Sequence, residues 1–420
     1  MGLAVLLAFF SYIAAHFVNI NRFSLYDVYR MRLTREFLGA SNEKRRPDFW
    51  TGFDETDDIP LADLWPPHDK ERRLYPVINV TLNMAATKRL EWQERKAVSF
   101  VLTPLYCGSG ATPDLGFRDT RDYAAGIRLG WAMSVSGAAV SPNAGYSTMP
   151  GLALLMTLFN LRLGAWSGNP GKAGAKSYRL RGPANALRPL LSEALVRTND
   201  RAKYVYLSDG GHFDNLGVYE MLRRRCRFIL ISDATCDPGY AYADLGSVVR
   251  KAAIDFGIRI RFEHLDMAQR GEKTAVKGAY SAFAVIEYPE ADSSGRRRRG
   301  YLLYIKSFYR GLEEPADVRA YALENPAFPH DKTLDQFFGE AQFESYRALG
   351  SFAVMELGRK AGFAATSKAQ KPACLTQFFK GARKDLARSR AAREDRSAQP
   401  IGNSKGRPPP GRPYQFKTSV

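Results

Sequence analysis

Histidine and cysteine are scarce in this chain, at five and four residues in 420. A metal centre needs three or four ligands at recognisable spacing, and the close pair His212 and Asp214 has no second histidine pair to complete it. No resident metal or cofactor is therefore expected. Cys107, Cys226, Cys236 and Cys374 are irregularly spaced among apolar or basic neighbours, which argues against a disulfide framework and for reduced thiols in a cytosolic compartment. Cys107-Gly108-Ser109-Gly110 lacks the lysine and serine or threonine that finish a phosphate loop and reads as a turn.

Acidic residues also run short, 43 against 61 basic, for a net charge of +18. The excess is uneven. Residues 367–420 hold 13 Lys and Arg against 3 Asp and Glu, so 10 of the 18 charges belong to the tail and 8 to the body. With few apolar residues and a GRPPPGRP stretch, residues 366–420 read as a disordered basic tail. No nucleic-acid motif accompanies the charge, so no specific nucleic-acid partner is expected. The body, with 45% hydrophobic and 25% charged residues over the whole chain, reads as folded.

Long apolar runs are few. The longest is Gly2 to Val18, near the lower limit of about seventeen residues for a bilayer span. No basic residue precedes it, so it lacks the charged start of a signal peptide. Arg22, Arg30, Arg32 and Arg35 follow it. The positive-inside rule then predicts a membrane protein whose main domain lies on the cytoplasmic side. The expected organisation is a membrane-anchoring helix over 1–20, a juxtamembrane amphipathic helix and linker over 21–70, a catalytic domain over 71–365, and the tail.

Ser208 to Gly217, SDGGHFDNLG, is the most informative stretch present. It follows the strand-like run Tyr204 to Leu207, and a carboxylate before two glycines at a strand's carboxyl end is where an open α/β sheet places its chemistry. Leu216 to Arg225 reads as a short helix and Arg227 to Ala234 as a second apolar strand, which predicts a βαβ crossover and a parallel sheet. Asp209 is the candidate base, with Gly210 and Gly211 allowing substrate to approach the main chain. Asp233, ending the next strand, is its rival.

The segment Tyr204 to Pro238 resembles the aspartate segment of patatin-like acyl hydrolases and cytosolic phospholipases. The blocks VNINRFSLYDVYRMRLTREFLGAS, SVSGAAVSPNAGY, YVYLSDGGHFDNLGVYEMLRRRCRFILISDA and NPAFPHDKTLDQFFGEAQFESYRALG extend the resemblance over roughly residues 10 to 360, to the carboxyl-terminal part of bacterial membrane-associated patatin-like proteins. It implies an α/β fold with a mainly parallel sheet and a serine–aspartate dyad acting on phospholipid or other lipid esters. In such a dyad the aspartate takes the serine's proton directly.

The family begins with a Gly-rich oxyanion turn and a GxSxG nucleophile elbow. Neither stands in the expected place upstream of the apolar run, so the nucleophile-bearing portion is expected to be missing here and supplied from an upstream segment. The nearest substitute is Ser136, beside Gly137 in the small-residue run Ser134 to Ala138. An elbow needs a preceding strand, whereas Asp122 to Met133 has helix-forming composition. The alternative is a noncatalytic protein that keeps the fold and binds lipid at a membrane surface.

Overall fold

The computed structural model describes residues 2–66, 74–264, 279–291, 295–311, 315–332, 338–362 and 375–398. Two compact units emerge, the first comprising Met1–Ile231, Ala241–Ile260 and Ile286–Gly300, the second Ser232–Tyr240, Arg261–Val285 and Tyr301–Val420.

The first unit is built on a six-stranded sheet. Four strands form a meander, β1 (Ile78–Asn83), β2 (Ala97–Leu102), β3 (Tyr106–Ser109) and β4 (Gly116–Asp119). Two later strands, β5 (Ala165–Gly168) and β6 (Tyr204–Asp209), complete the order β4-β3-β2-β1-β6-β5. Every pairing is antiparallel. This overturns the expected mainly parallel sheet. The next strand, β7 (Phe228–Asp233), is not beside β6 at all; it begins the other sheet, β7-β10-β9-β8, with β8 (Arg259–His264), β9 (Ser281–Ala291) and β10 (Arg297–Lys306). The presumed βαβ unit therefore links two sheets. Neighbouring apolar strands pair in sequence order only as a tendency.

β1 alternates strictly: Val80 and Leu82 enter the core with Phe100, Leu102, Val205 and Leu207, while Asn79, Thr81 and Asn83 share the other face. That second face is also covered, since Thr81 and Asn83 are fully buried. Buried polar groups need partners, and theirs lie in the site described below.

The helices are α1 (Gly2–Phe17), α2 (Leu25–Leu33), α3 (Leu129–Ser136), α4 (Pro150–Leu158), α5 (Leu187–Ala194), α6 (Gly211–Asp214), α7 (Val218–Arg223), α8 (Ala243–Phe256), α9 (Ala316–Glu324), α10 (Glu340–Lys360) and α11 (Leu375–Ala398). α1 has 16 residues, and no described helix is long and apolar enough to cross a membrane. At about 1.5 Å per residue it falls short of the roughly 30 Å hydrocarbon core. Its end is held by the protein, because Ala15 accepts the Ala186 N–H and is buried with Ile20, Trp166 and Tyr206. The transmembrane anchor, and the membrane placement that followed from it, are withdrawn.

The tail also differs from expectation. Leu375–Ala398 is helical rather than disordered, with Phe379, Ala382 and Leu386 buried at the spacing of one helix face. The other residues expected to be disordered, 366–374 and 399–420, lie outside the described set.

Candidate functional site

β6 ends at Asp209, and the chain turns directly into the single helical turn α6. One Asp209 oxygen accepts the Gly211 N–H at 2.7 Å, the side-chain-to-backbone closure that favours aspartate in a tight turn. Gly210 is required by proximity: a Cβ there would lie 2.6 Å from the Asn79 carbonyl oxygen on β1. At Gly211 a Cβ would lie 2.7 Å from the Asn215 side-chain oxygen and 3.1 Å from Asp209 itself. The half-buried carboxylate has Gly211 as its one hydrogen-bond partner among the described residues.

Ser136 is brought beside this turn. Its carbonyl accepts the Gly210 N–H at 3.0 Å, because α3 packs on β1 and β6. Its hydroxyl, however, donates to the Asn79 carbonyl at 2.8 Å and not to Asp209. Ser136 is also the last residue of a helix, not the apex of a strand-to-helix elbow. Gly137 follows under Tyr29, whose hydroxyl donates to the Gly137 carbonyl at 3.1 Å and would sit 2.7 Å from a Cβ at that position. Burial and then the Asp209 charge raise the Tyr29 phenol above its ordinary value.

A polar relay from β1 supports the turn from behind. Asn83 donates to the Ser208 hydroxyl at 2.8 Å, and that hydroxyl meets Nδ1 of His212 at 2.8 Å. Thr81 donates to the Gly210 carbonyl at 3.3 Å. Asn83 takes one of the two acceptor positions of the Ser208 hydroxyl, which meets Nδ1 as donor when the ring proton is on Nε2 and as acceptor when it is on Nδ1.

Asp209 and His212 are pushed in opposite directions. Burial raises Asp209 against the lowering effects of the Gly211 N–H and of His212. Burial depresses His212 against the opposing pull of Asp209 and the Ala139 backbone. Burial thus favours the neutral imidazole and heightens the proton affinity of the neighbouring carboxylate, the direction wanted of a general base.

Of the residues picked from sequence, Asp209, Gly210, Gly211, Ser136 and Gly137 are brought together, without a hydrogen bond between Asp209 and Ser136. The sequence reading missed Asn79, Asn83 and Tyr29; it named Ser208 only as the start of the motif and weighed His212 only as a metal ligand. The alternation INVTLN over β1 carried a signal for the first two, since polar residues opposite a core face need a purpose when that face is also covered.

Other candidates have structural duties. Asp214 accepts the Tyr219 and Leu216 N–H groups at 2.7 and 3.2 Å, and no metal-binding group of three occurs among the described residues. Cys107 lies buried in β3 with its thiol pushed up to about 11, chiefly by burial. Arg223 and Arg224 pair with Glu220, and Arg225 with Glu290. In the second unit Asp233 accepts from Thr235 at 2.7 and 2.8 Å and from the Tyr304 hydroxyl, and faces Lys306 at 3.3 Å. The letters of a GxSxG elbow do occur once, Gly402-Asn403-Ser404-Lys405-Gly406, outside the described residues.

No family model, no curated protein and no solved structure matches this chain.

Proposed function

We propose that this chain carries the aspartate half of a Ser/Asp acyl hydrolase acting on lipid esters. Asp209 takes the proton of the attacking serine, and that serine comes from a segment other than the end of α3. The observation that supports this reading is the Asp209 carboxylate itself, at a strand end, partly open, with one hydrogen bond and a raised proton affinity. Proton transfer to such a group is direct, so no histidine need intervene. His212 keeps its ring on Ser208 and acts on Asp209 through charge.

Hydrolysis of a short-chain p-nitrophenyl ester tests it, using the chain alone and the chain co-expressed with any coding segment that precedes it in frame. Activity abolished by Asp209→Asn and kept by Ser136→Ala supports the assignment, and Ser404→Ala then tests the one elbow-like sequence in the chain. Loss of activity in Ser136→Ala would instead make Ser136 the nucleophile. Activity indifferent to Asp209→Asn would end the proposal.

One observation favours a second reading, a noncatalytic lipid-binding protein. The Ser136 hydroxyl is committed to the Asn79 carbonyl, leaving the carboxylate without a serine to activate among the described residues. Absence of ester turnover in every combination, with retained lipid binding, selects it.

A further inference from the structure

A cavity of about 470 Å³ lies in the first unit, and neither Asp209 nor Ser136 lines it. Trp92, Phe213, Ile254 and Phe256 supply apolar wall, and the charged lining consists of Glu91, Arg95, Glu220, Arg223 and Asp255. The chemistry of a ligand follows from which of these groups retain hydrogen-bonding capacity.

The two inner carboxylates are well supplied. Asp255 accepts twice from one terminal nitrogen of Arg95, at 2.9 and 2.7 Å, and once from the Tyr219 hydroxyl at 2.8 Å. Glu220 is buried; one oxygen accepts from Ser99 at 2.8 Å, and the other from Arg223 Nε at 2.9 Å and from Arg224. The guanidinium groups are not used up, since each has five N–H donors and no acceptor. Arg95 engages a single nitrogen and Arg223 engages Nε and one terminal nitrogen, so each has N–H groups without a protein partner among the described residues. Gly110 keeps the remaining Arg223 nitrogen reachable: a Cβ there would stand 3.1 Å from it. Well-supplied inner carboxylates and spare guanidinium donors favour a ligand that brings acceptors, and the aromatic wall favours one with an apolar body.

We propose that this cavity binds an amphiphilic carboxylate, with its head on the free N–H groups of Arg95 and Arg223 and its chain against Trp92, Phe213 and Phe256. Glu91, an exposed carboxylate in the lining, opposes such a ligand and sets a limit on its affinity. The site is independent of the ester chemistry assigned to Asp209.

Isothermal titration of the full chain with laurate tests this, with dodecyltrimethylammonium as the cation of matched chain and inorganic phosphate as a head without a chain. Laurate binding is expected to be saturable. Arg223→Gln weakens it about tenfold or more, the scale of one charge-assisted hydrogen bond, and Glu91→Gln tightens it. Ile254→Trp, at an exposed position that makes no ion pair, blocks it while leaving the charged network in place, and so keeps the test valid if Arg223→Gln fails to fold. Binding absent, unchanged in Ile254→Trp, or matched by either the ammonium amphiphile or phosphate would overturn the proposal.

Discussion

Asp209 and Asp233 begin alike, each following a serine at the end of an apolar strand, in YVYLSD and FILISD. Their surroundings make them different acids. Among the described residues Asp209 accepts one hydrogen bond, from a backbone N–H, and burial lifts its proton affinity. Burial acts on Asp233 too, but hydrogen bonds from Tyr304 and Thr235 and the charge of Lys306 outweigh it and hold the carboxyl below its ordinary value. Lys306 is itself 1% exposed, so Asp233 is a structural counter-ion, whereas Asp209 is the less committed carboxylate, to which the proposed function gives the role of base. A strand-end aspartate is therefore not a catalytic signal by itself; the number and charge of its donors decide.

The comparison can be broken first on activity. If ester turnover is found, Asp209→Asn is expected to lower kcat/KM by about 10²- to 10⁴-fold, the usual worth of a general base, with the folded state undisturbed in a urea melt. Asp233→Asn should show the reverse. It takes the nearer of two carboxylates from the buried Lys306 ammonium, leaving Asp237 at 3.9 Å, so a loss of up to about 3–5 kcal/mol, the scale for breaking a buried pair, is expected in urea denaturation. Gly210→Ala comes next, because the new methyl meets the Asn79 carbonyl at 2.6 Å. A cost of about 1–3 kcal/mol is expected from such overpacking.

Acid should sharpen the contrast further. Asp233 is lowered in the fold, so its contribution is present above the ordinary aspartate value and is lost as pH falls through its depressed folded value. Asp209 is raised, so its ionisation costs stability as pH rises from the ordinary value through the folded one. His212 is depressed, so the unfolded chain binds the proton first and stability declines as pH falls below 6.5 toward the folded value. Denaturation of His212→Gln from pH 7 to pH 5 should show a flatter decline than the parent. Ser208→Ala removes the hydroxyl's hydrogen bonds with both Asn83 and His212 and should cost about 1 kcal/mol for each, accompanied in NMR by shifted His212 ring-nitrogen signals.

The apolar strands ending at Asp209 and Asp233 and the short helix between them were legible, because apolar runs of strand length and helix-forming stretches have local causes. Sheet assembly was not. β6 lies antiparallel between β1 and β5, and nothing local in Phe228 to Asp233 announces membership of another sheet. The apolar start misled for a related reason, since length and composition described α1 but not the tie between its Ala15 and Ala186. At the site, Asp209 and its glycines were visible as a motif. The support from Asn83 through Ser208 to His212 spans strands more than a hundred residues apart and shows itself only in three dimensions.

The most direct test is a carboxyl-carbon NMR titration of Asp209 and Asp233 in the intact folded chain, assigned with the two asparagine variants. The account predicts that Asp209 titrates above the ordinary aspartate value and Asp233 below it, with the Asp209 curve responding to His212→Gln. Titration of the two at the same pH, or in the reverse order, would contradict it.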